Sequence, residues 1–114
     1  KEGYFLAEGE KYDLIILDPP AFCKTKHQVK QAARGYKDIN LLAIKRLNPG
    51  GFLFTFSCST YINQDLFQKI VFAAAKDSGR ELQILKKISH AFDHPINIYH
   101  PEGEYLKGLF CRVL

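Results

Sequence analysis

A chain of 114 residues, 46% apolar and 25% charged, has room for one small soluble domain and not for two. Its net charge of +4 permits a nucleic-acid partner without establishing one, since scattered lysines ordinarily form a solvated surface. Three widely spaced cysteines (Cys23, Cys58, Cys111) argue against a disulfide framework and for a reducing, cytoplasmic setting, and no apolar run approaches the roughly 20 residues of a membrane span.

Lys1-Glu2-Gly3-Tyr4 is not a signal peptide, and the sequence holds no methionine, so the chain is expected to be a segment of something longer. The first element in chain order is the apolar run Tyr12-Asp13-Leu14-Ile15-Ile16-Leu17-Asp18, halted by Pro19-Pro20. It has the pattern of a strand buried on both faces, as in a parallel sheet. A helix is predicted within roughly 28 to 47, with Tyr36, Ile39, Ala43 and Leu47 on one face. Asn48-Pro49-Gly50-Gly51 should stop it. Phe52 to Phe56 reads as a second buried strand, ending in Ser57-Cys58-Ser59-Thr60.

A second helix should start at Asn63, a good N-cap, with Asp65 favouring the helix dipole and Leu66, Phe67, Ile70, Val71 and Ala74 as its apolar stripe. Gly79 should end it. Leu82 to Ile88 and Tyr105 to Leu114 read as two further strands joined by a long loop, Ser89 to Glu104. Strand-helix-strand-helix-strand implies parallel pairing with right-handed crossovers. The last strand, reached without a helix, should pair antiparallel at the sheet edge. The expected fold class is therefore an open α/β sheet with a terminal antiparallel strand pair. Ligands of such sheets bind beyond the carboxyl ends of the strands, and Asp18 and Cys58 end two consecutive parallel strands, on the same rim.

Free cysteines are commonly small core hydrophobes. Cys111, alternating with Leu109 and Val113, fits that description. Cys58 sits between hydroxyl residues at a strand end, shortly before a helix whose start should lower its pKa and make it a nucleophile. Cys23 is its rival. Asp18-Pro19-Pro20-Ala21-Phe22 could be only a turn, but a rim carboxyl can hydrogen-bond a base edge and Phe22 offers a stacking face for an unstacked base. Lys24, Lys26, Lys30 and Arg34 could contact phosphates or form a solvated face. His27, His90, His94 and His100 lack a metal-ligand spacing with cysteine, so no metal is expected. No glycine-rich loop follows a first strand, so a nucleotide cofactor's usual cradle would have to lie upstream of Lys1.

The segment Asp18–Phe22 resembles motif IV of class I methyltransferases. Together with Arg34–Asn40, Phe56–Ser59 and Pro101–Gly108, in this order and at these spacings, it resembles the bacterial 23S rRNA (cytosine-5) methyltransferase I family from about Gly9 to Leu114. The resemblance implies a Rossmann-like catalytic domain, of which residues 1–114 would be the C-terminal part, preceded by a PUA domain, a linking domain and the cofactor-loop half. It implies S-adenosylmethionine as methyl donor, cytosine of 23S rRNA as target, and Cys58 as the nucleophile. Asp18 and Pro19 would border the cofactor, while Pro20, Phe22, Lys24, Lys26, Arg34, Ser57 and Ser59 would face the RNA. Cys23 does not fall in the Pro-Cys position of the related two-cysteine enzymes. Self-association through an exposed sheet edge or face is also expected. Two other readings stay open: methylation of another base without a thiol, and a non-catalytic RNA-binding or dimerisation module.

Overall fold

The computed structural model describes residues 10–20, 25–59, 61–89 and 106–114. The strands are β1 (Tyr12–Leu17), β2 (Leu47–Ser57), β3 (Leu82–Ser89) and β4 (Lys107–Val113). The helices are α1 (Val29–Lys45), preceded by a 3-10 turn at Lys26–Gln28, and α2 (Gln64–Ser78). They form a four-stranded sheet in the order β1-β2-β4-β3. β1 and β2 are parallel, while β4 runs antiparallel to both β2 and β3. The expected terminal antiparallel pair is present, but the edge strand is β3. β4 is inserted between β2 and β3, so it separates two strands that would otherwise be parallel neighbours.

Both helices cover the same face of the sheet. Ile15 and Leu17 of β1, Leu53 of β2 and Leu109, Cys111 and Val113 of β4 form one core with Tyr36, Ala43 and Ile44 of α1 and Phe67, Val71 and Ala74 of α2. Tyr36 meets Phe67 edge to face at 5.9 Å, so the helices lock to each other as well as to the sheet. A buried polar link adds direction: Thr55 Oγ1 donates to Asn40 Oδ1 (2.7 Å), and Asn40 Nδ2 donates to the Tyr36 carbonyl (2.7 Å). It fixes α1 over β2 and leaves neither side chain unsatisfied in the core.

α2 begins where expected. The Asn63 side chain accepts from the Leu66 backbone N–H at 2.8 Å, and Gly79 closes the helix in the left-handed conformation, φ 75°. The end of α1 differs from expectation. The helix stops at Lys45, and Asn48-Pro49-Gly50-Gly51 lies inside β2. The β1–β2 register jumps from Tyr12–Leu47 to Leu14–Phe52, so these residues form an irregularity in the strand, with Gly50 at φ 84°. Arg80, just beyond α2, donates to the carbonyls of Ile44 (2.8 Å) and Leu47, tying the end of one helix to the exit of the other.

β1 is not buried on both faces among the described residues. Ile15 and Leu17 are buried, whereas Leu14 and Ile16 are 51% and 63% exposed. The cause is layering, because α1 and α2 share one face and no described element covers the other. On that open face Phe110 stacks on Phe54 at 4.2 Å and on Phe52 at 5.5 Å.

Candidate active site at the carboxyl edge of the sheet

Parallel pairing carries the ends of β1 and β2 to one edge, and β4 starts there because it runs the other way. Leu17 is level with Thr55, and Lys107 faces Ser57. Asp18 follows β1 and is exposed, Pro19 behind it is buried, and Pro20 is exposed. Cys58 follows β2 and is half-buried between the buried Ser57 and Ser59. The Ser59 backbone N–H donates to Ser57 Oγ at 3.3 Å, bending the chain around Cys58.

Asp18 and Cys58 are close enough to act on each other electrostatically. Burial pushes the Cys58 thiol up from its ordinary pKa, the negative charge of Asp18 pushes it further, and Lys107 pulls it down. The expectation that the start of α2 would lower this pKa is corrected. The helix begins six residues after Cys58, at Gln64 behind the Asn63 cap, and that cap already receives the Leu66 N–H.

Lys107 is the site residue that sequence reasoning missed. It is only 4% exposed, and its ammonium donates to the Ser59 carbonyl at 2.5 Å. Burial lowers its pKa to about 8, partly opposed by Cys58. One signal was available: Lys107 is a lone charge opening the apolar strand Gly108-Leu109-Phe110-Cys111, and buried lysines are rare. Gly108 beside it is required by a close approach, since a Cβ there would lie 2.5 Å from the Phe56 ring.

Lys26 lies exposed in the 3-10 turn and Arg34 lies exposed on α1. They belong to the segment leaving β1, but among the described residues the charges acting on Cys58 are those of Asp18 and Lys107. Phe22, Lys24 and the rival Cys23 lie outside the described residues, as do His90, His94 and His100. Cys111 is fully buried in the core, as its alternation implied. At the rim itself the described residues after β1 are the exposed Asp18, the buried Pro19 and the exposed Pro20. Gly50 and Gly79, the described glycines with positive φ, lie before the core of β2 and after α2, away from this rim.

Comparison with known proteins bears on the fold. The chain is 55% identical over 107 residues to Ribosomal RNA large subunit methyltransferase I of Enterobacter sp. (strain 638), covering 94% of this chain and 27% of that protein. It is 57% identical over 106 residues to the protein of the same name from Salmonella arizonae, covering 93% of this chain and 26% of that one. No family model matches. Among solved structures, a protein described as a methyltransferase, complexed with SAH, superposes with a TM-score of 0.70 at 19% identity, covering 90% of this chain and 26% of that one. A protein described as a SAM-dependent methyltransferase, from Streptococcus mutans, gives 0.69 at 18% identity, with the same coverage. The chain thus spans about a quarter of the relatives it matches (27% and 26%), and it carries the α/β fold of methyltransferase structures.

Proposed function

We propose that this chain is the C-terminal part of the catalytic domain of a cytoplasmic enzyme that methylates C5 of a cytosine in 23S rRNA, using S-adenosylmethionine and Cys58 as nucleophile. The observation that carries the reading is the pairing of a thiol and a carboxylate at the carboxyl edge of an α/β sheet. The relatives' names, and identities of 55% and 57%, support the rRNA target.

The chemistry needs both groups. C5 of cytosine is a poor nucleophile. Attack of the Cys58 thiolate on C6 makes C5 an enamine carbon. S-adenosylmethionine supplies an electrophilic methyl group. A proton shared between Asp18 and N3 of the base would offset the charge that develops on the ring. It would also quiet the negative charge facing Cys58, which in the free site works against the thiolate. Loss of the C5 proton then returns the electrons that break the C6–S bond. Because a duplex hides C6, the target must be single-stranded or unstacked, and the exposed Lys26 and Arg34 would contact its phosphates.

The test is Cys58→Ala in the intact protein, with methyl transfer to rRNA followed by nucleoside mass spectrometry. C5-methylcytosine should fall by more than about a thousandfold while thermal unfolding stays near wild type. Normal C5-methylcytosine from the variant would remove Cys58 from the mechanism. One observation favours a second reading: burial and Asp18 both hold Cys58 toward the neutral thiol. A methyltransferase acting on guanine N7 or an exocyclic amine needs no thiolate, and the identity of the modified nucleoside separates the two. Self-association of the 114-residue chain belongs to the same proposal, because its sheet carries an open apolar face.

A further inference from the structure

We infer that Lys107 is a positioning residue for Cys58: anchored on the Ser59 carbonyl, its ammonium holds the strand end in place and serves as counter-ion to the Cys58 thiolate. The inference rests on the reading of Cys58 as the reacting thiol.

The geometry is specific. Lys107 is level with Ser57 across the β2–β4 pair, yet its Nζ reaches the carbonyl of Ser59, so the side chain spans the position of Cys58. The residue is 4% exposed. Burying an ammonium is costly unless it is paired. Among the described residues its hydrogen-bond acceptor is one neutral carbonyl, which uses one of three donors, and it forms no ion pair with a carboxylate. Among the described residues, the negative charge that acts on it is the one Cys58 carries as a thiolate.

Among the described residues, the charged groups around Cys58 are few. Asp18, after β1, opposes the thiolate and Lys107, from β4, favours it. Ser57 and Ser59 are neutral. On α2, Asn63 is engaged as the helix cap, and Asp65 pairs with Lys69 at 3.2 Å. On β3, the residue level with Lys107 is the uncharged Ser89. Lys107 is thus the one described cation that offsets both burial and Asp18.

The experiment is site-resolved alkylation of the intact protein by iodoacetamide, read at Cys58 by peptide mass spectrometry as a function of pH. Wild type, Lys107→Gln and Lys107→Arg are compared. Lys107→Gln should move the Cys58 reactivity midpoint up by about one pH unit, making alkylation roughly tenfold slower at neutral pH, and Lys107→Arg should hold it near wild type. An unchanged profile in Lys107→Gln, or equal shifts in both variants, overturns the assignment. A second measurement leaves Lys107 intact: its Nζ, followed by NMR, should titrate at lower pH in Cys58→Ser than in wild type, and no change there also overturns it. Neither readout requires methyl transfer, so failure of the proposed reaction and failure of this pairing are distinguishable.

Discussion

The two described cysteines show how place decides chemistry. Cys58, half-buried at the rim, is acted on by two opposite charges. Cys111, fully buried in β4, meets only desolvation, which pushes its pKa up to about 12 from 9.0. The consequence for stability has a definite sign. The folded chain keeps the Cys111 proton until about pH 12, whereas the unfolded chain releases it near 9.0. Across that window the unfolded state binds fewer protons, so stability falls as pH rises. Below the window the protonated thiol carries no such loss. Cys111→Val, close in volume, should cost less than about 1.5 kcal/mol at neutral pH. In urea unfolding at increasing pH it should lose stability less steeply than wild type above pH 9. Parallel losses in the two proteins would contradict the assignment. Cys111 was legible in the sequence because alternation within one strand fixes its face. Lys107 was legible only as a lone charge opening an apolar strand, because its burial depends on pairing with Ser57, which lies fifty residues earlier. No local pattern reports a partner that distant.

At the scale of elements, signals carried by the backbone itself were readable. Asn63 caps α2 and Gly79 ends it, since each satisfies or permits a geometry defined within one turn. Asn63→Ala should therefore cost about 1 kcal/mol in urea unfolding, with Asn63→Asp close to neutral. A loss for Asp as large as for Ala would point to a packing role for Asn63 instead. The Asn-Pro-Gly-Gly stretch was misplaced for a complementary reason. Proline and glycine show that a helix cannot continue but not what takes its place. Here the register jump between Tyr12–Leu47 and Leu14–Phe52 absorbs these residues into β2. The insertion of β4 was hidden in the same way. Strand-helix alternation shows which strands run parallel, but the position of a strand without a helix is decided by what it pairs with. That pairing brings Lys107 to the rim, so the missed topology and the missed residue have one cause.

At the scale of the molecule, the apolar runs around Leu14–Leu17 and Phe52–Phe56 are written for burial on both faces, yet the described helices cover only one. The other face carries Leu14, Ile16, Phe52, Phe54 and Phe110 in register across three adjacent strands. Leu14, Ile16 and Phe52 are 51%, 63% and 37% exposed. A contiguous apolar surface in water favours association with a like surface, and β1 adds an edge strand beside it. The 114-residue chain by itself should therefore sediment as a concentration-dependent mixture of monomer and larger species. Ile16→Lys places a charge in the middle of the patch without touching the core, whose β1 contribution comes from Ile15 and Leu17. It should weaken association at least about tenfold and leave thermal unfolding of the monomer close to wild type, because Ile16 gives up little buried area. The control is Lys30→Glu, on the exposed surface of α1, which should leave association unchanged. A wild-type chain that stays monomeric at every concentration would overturn the predicted association, and equal effects of the two substitutions would place the contact elsewhere on the surface.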